Sequence, residues 1–106
     1  MKLATFTRQR IRIERRFPAG SKRERAMGHL VADAAAVLVF IERRLVAWRL
    51  PCGTIVCVKR RYPNHVAAAQ DLERIRDASS RHHLPHRVYH CERCSGFHLT
   101  SQARHV

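Results

Sequence analysis

"YHCERCSGFHLTSQ", residues 89–102, sets two cysteines three positions apart and a histidine four positions after the second. Zinc takes about four sulfur or nitrogen ligands in a tetrahedron, and a Cys-x-x-Cys turn supplies two thiolates from one tight knuckle. Cys91 and Cys94 are the firmest pair. "HRVYHC" (86–91) and "GFHLT" (96–100) read as the two strands of a hairpin around that knuckle, with Gly96 relieving the backbone where the turn becomes a strand. His98 can swing back from the returning strand as a third ligand. Cys57, in the β-branched run "TIVCV" (54–58), completes a set of three thiolates and one imidazole if that strand lies beside the hairpin. A rival set replaces His98 by Cys52 and makes the site all-cysteine. Two reduced core thiols are the plain alternative. A thioredoxin-like redox pair fits less well, because no helix follows the motif to lower a thiol pKa.

Outward from the knuckle, Pro63 and Asn64 introduce a helix, "HVAAAQDLERIRDASS" (65–80), with Val66, Ala69, Leu72 and Ile75 as its apolar face. Residues 51–106 therefore read as a β–α–β–β module resembling a zinc ribbon. His82, His83, His86 and His90 form a histidine-rich stretch that reads as a solvated loop and strand positions. The tail "SQARHV" reads as frayed. Upstream, "SKRE" (21–24) has the form of a capping box. Met27, Val31, Ala34, Leu38, Ile41, Leu45 and Trp48 then recur at alternating spacings of four and three, a heptad seam. This pattern predicts one long amphipathic helix over 21–50, stopped by Pro51. Its apolar surface suits packing on its own domain, a partner, or a homodimer through 27–48. Residues 1–20 read as a basic arm, with a short strand permitted at "RIRIERRF" (10–17).

The chain has 106 residues and a formal net charge of +13, with lysine only at Lys2, Lys22 and Lys59. Arginine offers a planar donor fork suited to phosphate, so nucleic acid, DNA or RNA, is the first partner implied, and an acidic protein the second. Arg8, Arg10, Arg12, Arg15 and Arg16 of the arm, and Lys59, Arg60 and Arg61 after the first strand, are the expected phosphate contacts. Tyr62 and Phe97 read as core aromatics rather than base-stacking platforms. The N-terminus carries arginines where a signal peptide needs an apolar run, and "LVADAAAVLVFI" (30–41) is too short to span a bilayer. The expected location is the cytoplasm, where Cys-x-x-Cys favours metal over disulfides.

From Cys57 to Gln102 the chain resembles a group of small zinc-finger-like proteins of actinobacteria and their phages. The matching residues are Cys57, Lys59, Tyr62 and Ala68, then Tyr89, Cys91, Cys94, His98, Leu99, Thr100 and Ser101. Phe97 stands where that group has tryptophan, and residues 1–50 have no counterpart in it. The resemblance implies a zinc-bound βαββ unit and no established activity.

No catalytic pattern stands out. Four protein ligands leave a structural metal no open position for water, and Asp71, Glu73 and Asp77 sit among arginines as surface ion pairs. The expectation is thus an α+β protein: basic arm, long helix, and a module holding one structural zinc. It is a non-enzymatic nucleic-acid binder, or else a phage-type adaptor docking on a host factor through residues 27–48.

Overall fold

A computed structural model describes residues 1–78, 85 and 87–101. The chain is α+β, in the order α1 (Leu3–Arg16), α2 (Ser21–Asp33), β1 (Val37–Ile41), β2 (Arg44–Arg49), β3 (Ile55–Cys57), α3 (His65–Ala78), β4 (Arg87–Cys91) and β5 (Gly96–Thr100). It divides into two compact units, Met1–Val58 and Lys59–Val106. In the first, β1, β2 and β3 form an antiparallel sheet in sequence order; in the second, β4 pairs antiparallel with β5.

The basic arm is a helix. Phe6, Arg10 and Ile13 recur at four and three, and this face turns inward: Phe6 is fully buried and Ile13 packs on the core. Arg10 bonds Glu14 one turn on at 2.7 Å, a pairing that supports a helix and has no use in the strand expected at 10–17. The C-terminal carbonyls of α1 are met by Arg23, which donates to Glu14 O at 2.9 Å and Phe17 O at 2.8 Å.

The helix expected over 21–50 ends at Asp33 instead. Its N-cap is Gly20, with no side-chain cap bond, so the Ser21–Glu24 capping box does not form. At the other end Ala35 takes a left-handed φ of 53°. Ala36 N–H then reaches Val31 O at 3.0 Å and Ala35 N–H reaches Ala32 O at 3.1 Å, the bond pattern of a Schellman stop. Beyond it, "VLVFI" is β-branched and aromatic and pairs as β1 with β2. Glu42 and Arg43, at φ 50° and 68°, make the two-residue turn between them, a type I′ geometry that normally calls for Asn or Gly. Five of the seven heptad positions, Met27, Val31, Ala34, Leu45 and Trp48, still serve a core, delivered by a helix and a hairpin, while Leu38 and Ile41 are exposed. Leu30, Ala34, Trp48 and Leu50 surround Phe6, and Met27, Val31 and Leu45 pack against that cluster. Phe6 and Trp48 lie tilted with ring centroids 5.8 Å apart.

In the second unit Asn64 caps α3, its Oδ1 accepting from Ala67 N–H at 2.8 Å. The helix buries Ala68 and Leu72; Val66, expected on the apolar face, is 63% exposed. Tyr62 and Phe97 exchange backbone bonds at 2.8 and 3.0 Å, so the residues leading into α3 pair beside β5. The strand that does so is therefore not β3, which pairs with β2 and so departs from the expected β–α–β–β module.

Candidate metal centre

Cys57 ends β3, Cys91 ends β4, Cys94 lies in the four-residue turn after it, and His98 is the middle residue of β5. One ligand atom from each of these four residues lies within 4.8 Å of all the others. A tetrahedral ion bound at about 2.3 Å sets its ligand atoms about 3.8 Å apart, so the group has the size of a single metal site. Cys57, Cys91 and His98 are buried, at 6%, 5% and 1% exposure. Cys52 is exposed and is outside this group; its thiol bonds Thr54 Oγ1 at 3.2 Å, which lowers its pKa.

His98 carries the most informative bond. Its Nδ1 is 2.7 Å from Arg60 O. A carbonyl only accepts, so Nδ1 bears the proton and Nε2 presents its lone pair. That lone pair faces Cys94 Sγ at 3.3 Å. Metal-ligating histidines are held in this way, with the second ring nitrogen donating to a carbonyl or carboxylate. Three thiols and an imidazole so oriented form a donor set for a borderline-soft divalent ion, with no protein ligand missing.

The knuckle's geometry differs in one respect from the sequence reading. The left-handed residue is Ser95, at φ 57°, not Gly96. Gly96 supplies room: a Cβ there would sit 2.5 Å from Cγ and Nε of Arg61. Arg61 lies across that glycine and donates to Cys94 O at 3.3 Å.

The eight basic residues expected at phosphate separate into two groups. Arg8, Arg12, Arg15 and Arg16 are exposed and line one shallow groove on α1 with Ile11 between them. Arg10 faces the other way. Its guanidinium stacks on Trp48 at 4.9 Å and donates to Cys57 O at 2.9 Å and to Val58 O. Lys59 reaches Leu99 O at 3.4 Å and covers the Tyr89 ring at 5.2 Å. Arg60 is largely exposed but leans on Asp71 at 3.6 Å and on the Tyr62 ring.

Tyr62 is buried, and its hydroxyl donates to Asp71, so it is a core aromatic and no stacking platform. Burial, together with that bond, pushes its phenol up to about 12. The same bond, with Arg74 donating at 2.6 and 2.8 Å, holds the Asp71 carboxyl below the usual carboxylate range. Phe97 is half-buried between the rings of His65 and His90. The inward role of Arg10 was readable in principle from the Phe6–Arg10–Ile13 spacing. The Tyr62–Asp71 pair carries no such signal. His82, His83 and His86 of the histidine-rich stretch, and residues 102–106 of the tail, lie outside the described residues. Among the described residues no helix is long and apolar enough to cross a membrane.

No protein-family model, curated protein or solved structure matches this chain.

Proposed function

We propose that this protein is a non-enzymatic, zinc-stabilised nucleic-acid binder whose phosphate-contacting surface is the outer face of α1. The observation that carries the reading is the row formed by Arg8, Arg12, Arg15 and Arg16, all exposed on one helix face of a chain with net charge +13. Arginines at these spacings present forked donors along a line, which suits a phosphate backbone. Zinc is the natural occupant of Cys57, Cys91, Cys94 and His98, because a closed set of three thiolates and one imidazole is a structural zinc site. The ion would hold the fold and take no part in chemistry. The likeness of residues 57–102 to the zinc-finger-like group of actinobacteria and phages agrees with this reading, and the reading places the protein in a reducing cytoplasm, where thiols stay reduced. Lys59, Arg60 and Arg61 have intramolecular partners, so their share of the binding is the smaller one.

The test is a salt titration of binding to random-sequence DNA and RNA. Affinity should fall steeply and log-linearly with salt. Replacing Arg8, Arg12, Arg15 and Arg16 by glutamine should flatten that slope by about three to four charges' worth. Binding that is absent at low salt, or a slope unaltered by the four substitutions, overturns the proposal.

A further inference from the structure

The three-stranded sheet has two edges, and the chain treats them differently. At the β3 edge a charged side chain occupies the backbone: Arg10 donates to the carbonyls of Cys57 and Val58. Such blocking is how natural sheets prevent unwanted strand addition. Among the described residues, no such guard lies on the β1 edge. It is the end strand in the order β1–β2–β3, and none of its residues is charged. Val37, Leu38, Phe40 and Ile41 are 50%, 45%, 56% and 44% exposed. Neighbouring strand residues point to opposite faces, so apolar surface is open on both sides of the same strand.

We propose that β1 is a docking edge for an extended segment of a partner protein, one with an apolar centre and acidic ends, which adds as a fourth strand. Charge around the strand selects the occupant. Pairing puts Arg44 beside Ile41 and Arg49 beside Val37, with Arg43 in the adjoining turn. All three are exposed, so the apolar strand is bracketed by arginine at both ends; Glu42 is the one carboxylate in the hairpin. A second copy of this chain suits the edge poorly, since each copy carries +13. The area is also short. Four half-exposed side chains offer on the order of 300 Å², against about 800 Å² per partner in a stable interface. A strand five residues long, about 17 Å, matches one added peptide. In that mode main-chain bonds supply affinity and alternate side chains supply specificity. This surface is separate from the arginine face of α1.

The experiment titrates the full-length protein with a nine-residue peptide that has two acidic residues at each end and alternating valine and threonine between. Backbone amide exchange is followed by NMR, with a lysine-ended peptide of the same centre as control. The acidic peptide should protect β1 amides and bind at least tenfold tighter than the control. Leu38→Lys and Phe40→Lys, both at exposed positions, should abolish that protection while unfolding temperatures stay within a few degrees. Replacing Arg8, Arg12 and Arg15 by glutamine should leave peptide binding intact, which separates this proposal from the nucleic-acid reading. No protection of β1 at millimolar peptide, or equal binding of the two peptides, overturns it. A concentration-dependent dimer that the same lysine substitutions dissolve would also overturn it, by making a second copy the occupant.

Discussion

Arg10 and Arg12 stand two residues apart on α1, and neutralising each should have opposite consequences. Arg10→Gln removes a guanidinium that donates to two backbone carbonyls, covers Trp48 and pairs with Glu14. Hydrogen bonds from charged donors contribute about 1.5–3 kcal/mol each. Here two share one partly exposed head, so together they contribute about 2 kcal/mol rather than a doubled value. Stacking on the indole adds about 0.5–1 kcal/mol, and the i,i+4 pair with Glu14 a few tenths. The sum is about 3 kcal/mol, which for a protein of this size lowers the unfolding temperature by roughly 10–20 °C. Arg12→Gln touches none of these contacts. Its cost should stay within about 0.5 kcal/mol, while the salt slope of nucleic-acid binding falls by about one. The assay is urea and thermal unfolding followed by the fluorescence of Trp48, the sole tryptophan, alongside the salt titration. If both variants unfold alike, or if Arg10→Gln costs under about 0.5 kcal/mol, the inward assignment of Arg10 is wrong.

Native mass spectrometry should find one zinc per chain, lost with the fold on treatment with a strong chelator at low pH. Cys91→Ser and His98→Ala should lower zinc affinity at least tenfold, and Cys52→Ser should not change it. Ala35→Gly should raise stability by about 1 kcal/mol in urea unfolding, because a left-handed helix stop strains alanine and not glycine. The depressed Asp71 carboxyl contributes stability above its unfolded pKa near about 4 and loses it as pH falls through the lower folded value. The advantage of the native protein over Tyr62→Phe should therefore be full at neutral pH and shrink below about pH 4. At the alkaline end, the stability tied to the neutral Tyr62 phenol is full below about pH 10 and lost as pH rises through about 12.

Much of the second unit was legible along the chain because its constraints are local. Cys91 and Cys94 lie on one knuckle, His98 returns on the next strand, and the α3 cap is at Asn64. What misled was the region 27–48. Its seven apolar positions fit a heptad, but such a pattern marks apolar side chains without saying what backbone carries them or, as at Leu38 and Ile41, whether they are covered. The stops that divide it, at Ala35 and at Glu42–Arg43, use left-handed backbone without glycine or asparagine, so no residue announces them. Tertiary packing provides for them, by burying Trp48 and Leu50 against Phe6 from a hairpin.

Read along the chain alone, this protein shows its charge, its α+β class, the Cys91–Cys94 knuckle, and a ligand set in which His98 and Cys52 are rivals. These follow from residue chemistry and short spacings, which survive any rearrangement of distant parts. The folded arrangement is what leaves Cys52 outside and turns His98 Nε2 toward the thiols, since a carbonyl 38 residues away, that of Arg60, holds the ring. It also fixed what the Phe6–Arg10–Ile13 spacing only suggests, that Arg10 turns away from its neighbours. All five arm arginines carry the same charge, and which of them faces solvent depends on where the indole of Trp48 and the carbonyls of Cys57 and Val58 come to rest.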